Sequence, residues 1–431
     1  MERFQFEKLI NWKNSNNRKP LIIRGARQVG KTWLMKEFGQ REYSQIAYVN
    51  FESSKSLRNL FINDFDIQRI IVAIQIETGV QINPKNTLII FDEIQECEGA
   101  ITSLKYFFEN APQYHVIEAG SLLGVASHQH TSFPVGKVGF LDLYPLSFGE
   151  FLLALNKKSL YELLLKRDWL LITSFKPKYI ELLRQYYFIG GMPEAVNSFS
   201  TENDFKKVRD IQINILSAYE QDFSKHAPNE IVPRIRMIWQ SIPSQLAKEN
   251  RKFIYGLLKH GARARDYEVA MAWLINSGLI YKVNRASKPA LPLAAYMDSS
   301  AFKIYLVDVG LLGAMGNIDI KTIIDGNYIF REFKGAMTEQ YVLQQLKYCE
   351  KLSIYYWSTE KSTAEIDFLV QFADKVIPIE VKAEENLQAK SLKSFQKQYK
   401  PSLSIRTSMS DYRTDDWLTN LPLYAVENYW K

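Results

Sequence analysis

The chain has 431 residues, 46% of them hydrophobic and 23% charged, with 54 Lys and Arg against 47 Asp and Glu. That composition excludes a disordered or collagen-like protein. At about 100–200 residues per domain the length predicts roughly three domains, each burying its own core.

Residues 1–20 mix charges with isolated apolar side chains and lack the pattern of a secretory signal. The leucine-rich stretch 159–172 is broken by Glu162, Lys166, Arg167 and Asp168, so it is not a membrane span. Cys97 and Cys349 are too few and too far apart for a disulfide framework or a zinc site, and a reducing cytoplasm is the expected setting.

Pro20 to Arg24 reads as a short buried strand and runs directly into Gly25-Ala26-Arg27-Gln28-Val29-Gly30-Lys31-Thr32, a full GxxxxGK[ST] motif. In this pattern the glycines let the backbone wrap phosphates with its N–H groups, here those of Gly25, Gln28, Val29 and Gly30. Lys31 would reach the β- and γ-phosphates of ATP, and the Thr32 hydroxyl would ligate Mg²⁺. The apolar spacing of Trp33, Leu34 and Phe38 predicts a helix from Lys31 onward.

Thr87 to Phe91 is a second apolar strand, ending in Asp92 and Glu93, where parallel α/β sheets collect ligands. Asp92 is expected in the Mg²⁺ shell and Glu93 as the group that polarises the attacking water. Strands are also expected at residues 46–51 and 115–121, giving the alternation of a doubly wound sheet. Ser121 closes the last of them, either as a γ-phosphate sensor or as a helix cap after Gly120.

These residues resemble an AAA+ ATPase and, within that class, one bacterial and archaeal family. Besides the phosphate loop and Asp92-Glu93-Ile94-Gln95, the similar stretches are Ser132 to Lys137, Leu143-Tyr144-Pro145-Leu146-Ser147-Phe148 and Gly190-Gly191-Met192-Pro193-Glu194-Ala195. Where Lys137 stands the family often carries Arg, so no arginine finger is carried over to it. The resemblance implies an ATPase core followed by a C-terminal domain of restriction-nuclease-like type.

From Phe148 to about Phe223 the apolar residues recur at helical spacing and predict a helical lid. Residues 231–242, 253–258 and 267–275 are three further candidate helices, and 278–283 is a strand of a small hairpin, the order of a winged helix-turn-helix. Residues 225–290 carry 12 Lys and Arg against 4 acidic residues. Such an excess fits a surface facing phosphates or, alternatively, an acidic protein partner. Arg263 and Arg265 would stand at the start of the recognition helix, facing nucleic acid, or else pack against the ATPase.

The last hundred residues hold Glu339 on a predicted helix, Asp367 in a strand-like Ile366-Asp367-Phe368, and Glu380-Val381-Lys382 closing another strand. Alternation puts Glu380 and Lys382 on one face, and an antiparallel partner can bring Asp367 beside them. The pattern resembles the PD-(D/E)xK nucleases. That likeness implies Mg²⁺ held by Glu339, Asp367 and Glu380, with Lys382 assisting phosphodiester cleavage. A salt-bridged surface hairpin is the plainer alternative.

The expected architecture is therefore α/β: a P-loop AAA+ sheet over 1–148, a helical lid over 149–225, a winged helix over 226–300 and a nuclease-like domain over 301–431. The expected activity is ATP-driven action on DNA, with Lys31, Thr32, Asp92 and Glu93 as the hydrolytic set. The alternative is a non-cutting, nucleotide-dependent switch that uses the C-terminal domain as a scaffold for protein or DNA. A homo-oligomer or protein partner is compatible with either, and no membrane is involved.

Overall fold

The computed structural model describes residues 1–63, 65–120, 133–248, 251–325, 331–359, 364–385 and 389–430. The chain divides into two compact units, one of residues 2–144 with 276–278, the other of 145–275 and 279–431 with Met1.

In the first unit five short strands lie in one sheet: β1 (Leu21–Arg24), β2 (Gln45–Asn50), β3 (Thr87–Asp92), β4 (His115–Ala119) and β5 (Gly139–Asp142). They run in the order β2-β3-β4-β1-β5, every neighbouring pair parallel. β3 and β4 are buried along their whole length, which is why they read as unbroken apolar runs rather than alternating ones. Helices α1 (Gln5–Lys13), α2 (Lys31–Glu42), α3 (Lys55–Asn63), α4 (Ile67–Thr78) and α5 (Glu98–Asn110) complete the unit. Phe51, Phe61 and Phe91 meet edge to face at 5.3–5.9 Å in a core shared with Ile70, Ile74, Ile89 and Leu104.

His115 opens β4 almost fully enclosed, its Nδ1 2.5 Å from the Tyr43 hydroxyl. Burial, then the nearby Arg18 and Lys13, push its pKa down to about 4. An unfolded chain takes up this proton near pH 6.5 while the native one does not, so stability falls as pH drops from 6.5 to 4. The loss is about 3 kcal/mol by 1.36 kcal/mol per unit. Glu118 in the same strand, buried with no hydrogen-bond partner and pushed well up by burial, acts in the opposite sense. The effect is therefore read by difference: in urea unfolding at pH 4.5 and pH 7.5, His115→Gln should lose less stability on acidification than wild type. Equal acid losses in the two proteins would refute the assignment.

The second unit begins, where a lid was expected, with a run of helices: α6 (Phe148–Ala154), α7 (Lys158–Lys166), α8 (Trp169–Ser174), α9 (Lys176–Ile189), α10 (Pro193–Glu202) and α11 (Phe205–His226). Ser147 caps α6 in a full capping box with Glu150. The Gly190-Gly191 turn is explained by Asp308, whose Oδ2 accepts from Gly191 N–H at 2.6 Å. Gly190 has φ +74°, and a Cβ there would stand 2.1 Å from Asp308 Oδ1, while one on Gly191 would meet the Leu146 carbonyl at 2.1 Å.

Helix α12 (Val232–Leu246) follows, and α13 (Ala264–Asn276) comes after a stretch that departs from expectation. Residues 253–258 hold only a 3₁₀ turn, Tyr255–Leu257, instead of a helix. Phe253 N–H donates to the carbonyl of Phe302 and its ring stacks on that of Phe302 at 5.3 Å, so the extended backbone is fixed by a distant strand. Gly256 further weakens any helix there.

Strands β6 (Ile280–Ala286), β7 (Met297–Leu306), β8 (Leu352–Ser358), β9 (Glu365–Phe372), β10 (Lys375–Val381), β11 (Ser404–Ser408), β12 (Arg413–Asp415) and β13 (Leu418–Pro422) form one sheet in the order β12-β13-β11-β10-β9-β8-β6-β7. The expected hairpin is β6–β7, and Arg285 on β6 pairs with Tyr356 on β8. Residue 300, where a boundary was expected, lies inside β7. Between the sheet's segments run α14 (Val309–Met315), α15 (Ile320–Asp325), α16 (Arg331–Leu346) and α17 (Lys390–Tyr399).

Helix α16 is tied down by glutamines. Gln340 both accepts from Leu306 N–H and donates to the Leu306 carbonyl, Gln344 accepts from Val309 N–H, and Gln345 accepts from Phe148 N–H. Each amide satisfies backbone groups that would otherwise be buried bare. Among the described residues no helix is long and apolar enough to cross a membrane, and neither cysteine is in a disulfide.

Candidate functional site

β1 ends at Arg24 and the chain turns through Gly25–Gly30 into α2. Gln28 and Gly30 both take positive φ, +64° and +94°, the left-handed turns that curl successive N–H groups inward. Gly25 is obligatory on the other side, because a Cβ there would lie 2.2 Å from the Leu143 carbonyl of the neighbouring β5 connection. Arg3 steadies the loop from α1's approach, donating to the Val29 carbonyl at 2.9 Å.

Lys31 Nζ folds back onto the loop and donates to the Gly25 and Ala26 carbonyls, both at 2.9 Å. Burial lowers its pKa to about 8, against the pull of Glu93 and Asp92. The Thr32 hydroxyl donates to Asp92 Oδ2 at 2.8 Å, so the start of α2 meets the end of β3. Tyr48, from β2, donates to the same Asp92 oxygen at 2.8 Å. Glu93 follows in a left-handed conformation, φ +50° and ψ +44°, and its carboxylate accepts from the Gln95 amide. A non-glycine residue in this region stores of order 1 kcal/mol of strain, a feature concentrated at functional positions.

The four expected hydrolytic residues thus stand at the carboxyl edge of the sheet, beyond β1 and β3, which flank β4. Thr32 and Asp92 offer a hydroxyl and a carboxylate, the hard oxygen donors that Mg²⁺ takes, so the donor set fits that ion. Ser121 lies outside the described residues. Lys137 Nζ is paired with Glu109 at 3.0 Å.

The C-terminal carboxylates behave differently. Glu339 on α16 is 3% exposed, and its Oε1 is ion-paired with Arg251. Its Oε2 accepts from the Tyr305 hydroxyl at 3.2 Å and lies 3.8 Å from Lys303 Nζ. Lys303, fully enclosed on β7, is also ion-paired with Glu365 of β9. Asp367 Oδ2 accepts from Val381 N–H at 2.7 Å. Burial, then the Glu339 charge, push Asp367 well above the usual carboxylate range, and it hydrogen-bonds to Glu339.

Strands β9 and β10 pair to Phe368 opposite Ile379, which brings Asp367 toward Glu380 as expected. Glu380 Oε1, however, is matched by Lys382 at 2.8 Å, and only its Oε2 is a buried oxygen without a hydrogen bond. Among the described residues no group of three His, Cys, Asp or Glu is arranged to hold a metal ion. The Mg²⁺ site expected of Glu339, Asp367 and Glu380 therefore does not fit this donor set.

Arg263 and Arg265 are exposed at the start of α13, with Arg265 Nε 3.8 Å from Asp266. Part of the local positive excess is spent elsewhere, since Arg251 pairs with Glu339 and Arg285 with Asp298 at 2.7 Å.

Residues 17–152 match the family described as AAA domain. The chain carries an AAA-type ATPase domain. Beyond the AAA domain, residues 180–322 and 334–426 match two families each described as a domain of unknown function, DUF8612 and DUF4143. No curated protein matches the chain.

Among solved structures, a Walker-type ATPase of Pyrococcus abyssi is 13% identical, covering 73% of this chain and 95% of its own, with a TM-score of 0.46. The Aeropyrum pernix ORC1 protein, solved in complex with DNA, is 11% identical over 73% of this chain and 90% of its own, at a TM-score of 0.28. Cdc6p from Pyrobaculum aerophilum is 11% identical over 75% and 93%, at 0.27. These likenesses are too distant to carry any functional argument.

Around the AAA domain's phosphate loop, three contacts went unread in the sequence. Tyr48 orients Asp92, Gln95 holds Glu93, and Arg3 braces Val29. Gln95 stood inside a recognised signature without a role. Tyr48 gave no signal beyond its place on an expected strand.

Proposed function

We propose that the protein is a nucleotide-dependent switch acting on DNA: its AAA domain hydrolyses ATP, and the basic surface around Arg263 and Arg265 meets the nucleic acid. The observation that carries the ATP half is the contact of Thr32 with Asp92, beside Lys31 and Glu93. Thr32 and Asp92 would hold Mg²⁺, which neutralises charge developing on the transferred phosphoryl group when bound. Lys31 leaves the Gly25 and Ala26 carbonyls for phosphate oxygens, and the loop N–H groups bind the remainder. Glu93, steadied by Gln95, orients and polarises the attacking water.

For DNA, the supporting observation is the exposure of Arg263 and Arg265 at one helix start within a strongly basic segment. The C-terminal domain serves in this reading as a scaffold that binds without cutting, since Glu339 is already committed to Arg251, Tyr305 and Lys303.

Salt titration of binding to a labelled duplex tests the DNA half. Wild type should lose affinity steeply with salt, and Arg263→Ala with Arg265→Ala should flatten the log–log slope by about 2, at about 0.9 per phosphate contact. A slope identical in the two proteins would move the DNA surface elsewhere, and no binding at any salt would leave a protein partner as the output of the switch.

A further inference from the structure

The carboxylates of α16, β9 and β10 lie where a nuclease-like fold would seat a divalent cation, yet two cations stand among them, Lys303 fully buried and Arg251 partly so. We propose that this centre takes no divalent metal, and that the Arg251 guanidinium, with the Lys303 ammonium behind it, fills the place and supplies the charge that a metal ion would.

The pocket is built for an arginine. Gly335 lies one helical turn before Glu339, and a Cβ at Gly335 would stand 2.9 Å from Arg251 Nη2, so the missing side chain is the slot in which the guanidinium lies. Arg251 itself adopts φ +49°, a strained conformation for a residue with a side chain, and the backbone two residues on is pinned by Phe253 N–H to the Phe302 carbonyl. The strain is tolerated because the surroundings fix the chain so that Arg251 is aimed inward.

The charges close without a metal. Arg251 and Lys303 face Glu339 and Glu365, while Asp367 hydrogen-bonds to Glu339 and accepts from Val381 N–H. A carboxylate has about four lone-pair positions. Glu339 spends three of its own on Arg251, Tyr305 and Asp367, with the Lys303 charge 3.8 Å from Oε2. To enter, a divalent cation would have to displace Arg251 and leave it buried without its partner, a cost that opposes metal uptake.

The test uses the full-length chain without nucleotide, in a Thr32→Ala background so that the phosphate loop does not contribute, with Mn²⁺ as probe followed by electron paramagnetic resonance. The parent protein should show no bound Mn²⁺, and adding Arg251→Ala should create a Mn²⁺ site that disappears again with Asp367→Asn. A Mn²⁺ site in the parent that Glu339→Gln removes would overturn the proposal, and this arm decides even if Arg251→Ala fails to fold. Absence of Mn²⁺ from a folded Arg251→Ala protein would overturn the place given to Arg251. Neither ATP nor DNA enters the measurement, so its failure is separate from failure of the switch reading.

Discussion

A Glu93→Gln protein will bind ATP close to normally and hydrolyse it about 10²–10⁴-fold more slowly than wild type, the usual span for loss of a group that activates water. Gln keeps the shape and the hydrogen bond with Gln95 but cannot carry the charge that polarises the nucleophile. Lys31→Ala should differ in kind: with the ammonium gone, phosphate binding itself weakens and both affinity and rate fall. Steady-state phosphate release together with equilibrium binding of a fluorescent ATP analogue separates the two. Hydrolysis by Lys31→Ala at the wild-type rate would sink the assignment of this loop.

Tyr48 offers a finer check on the same site. Its hydroxyl shares Asp92 Oδ2 with Thr32, and burial, then the bond to Asp92, raise its pKa to about 12, so it stays a donor at every working pH. Its loss frees Asp92 to turn, a defect of position rather than of charge.

Lys303→Met should cost the second unit about 3–5 kcal/mol at pH 7.5, the range for removing one partner of a buried ion pair. Lys303 is fully enclosed and serves Glu339 and Glu365 together, so its removal strands Glu365 and leaves Glu339 with Arg251 alone to balance its charge. The sign of the pH dependence follows. Without Lys303 the folded-state pKa values of both carboxylates rise, the native state binds more protons than the unfolded one, and stability falls as pH rises. The deficit against wild type should therefore shrink at pH 5, measured by urea unfolding followed through a probe in the second unit. A loss under about 1 kcal/mol that does not change with pH would mean that the network is not held by Lys303.

What could be read in the sequence is what a few consecutive residues can build. The phosphate loop is such a case, because the N–H groups that meet phosphate belong to neighbours in the chain, and Gly25, Gly30, Lys31 and Thr32 carry the pattern whole. Strand β3 with Asp92 and Glu93 is another, since an apolar run that ends in carboxylates declares both the burial and the edge. The helical spacing of residues 148–223 and strands β9 and β10 were legible for the same reason.

Only the tertiary structure decided what depends on partners far along the chain. Residues 253–258 have the apolar content of a helix, but the Phe302 carbonyl claims the Phe253 N–H and only a 3₁₀ turn forms after it. The twelve basic residues of 225–290 count alike in sequence, yet burial turns Arg251 inward while Arg263 and Arg265 remain in solvent. Glu339, Asp367, Glu380 and Lys382 match a metal-dependent pattern because that pattern records which residue types occur. It does not record which of them are already neutralised. Arg251 lies 88 residues before Glu339, and Lys303 lies 62 before Glu365. A carboxylate's chemistry is set by the charges within a few ångströms of it, and those distances come into being only when the chain folds.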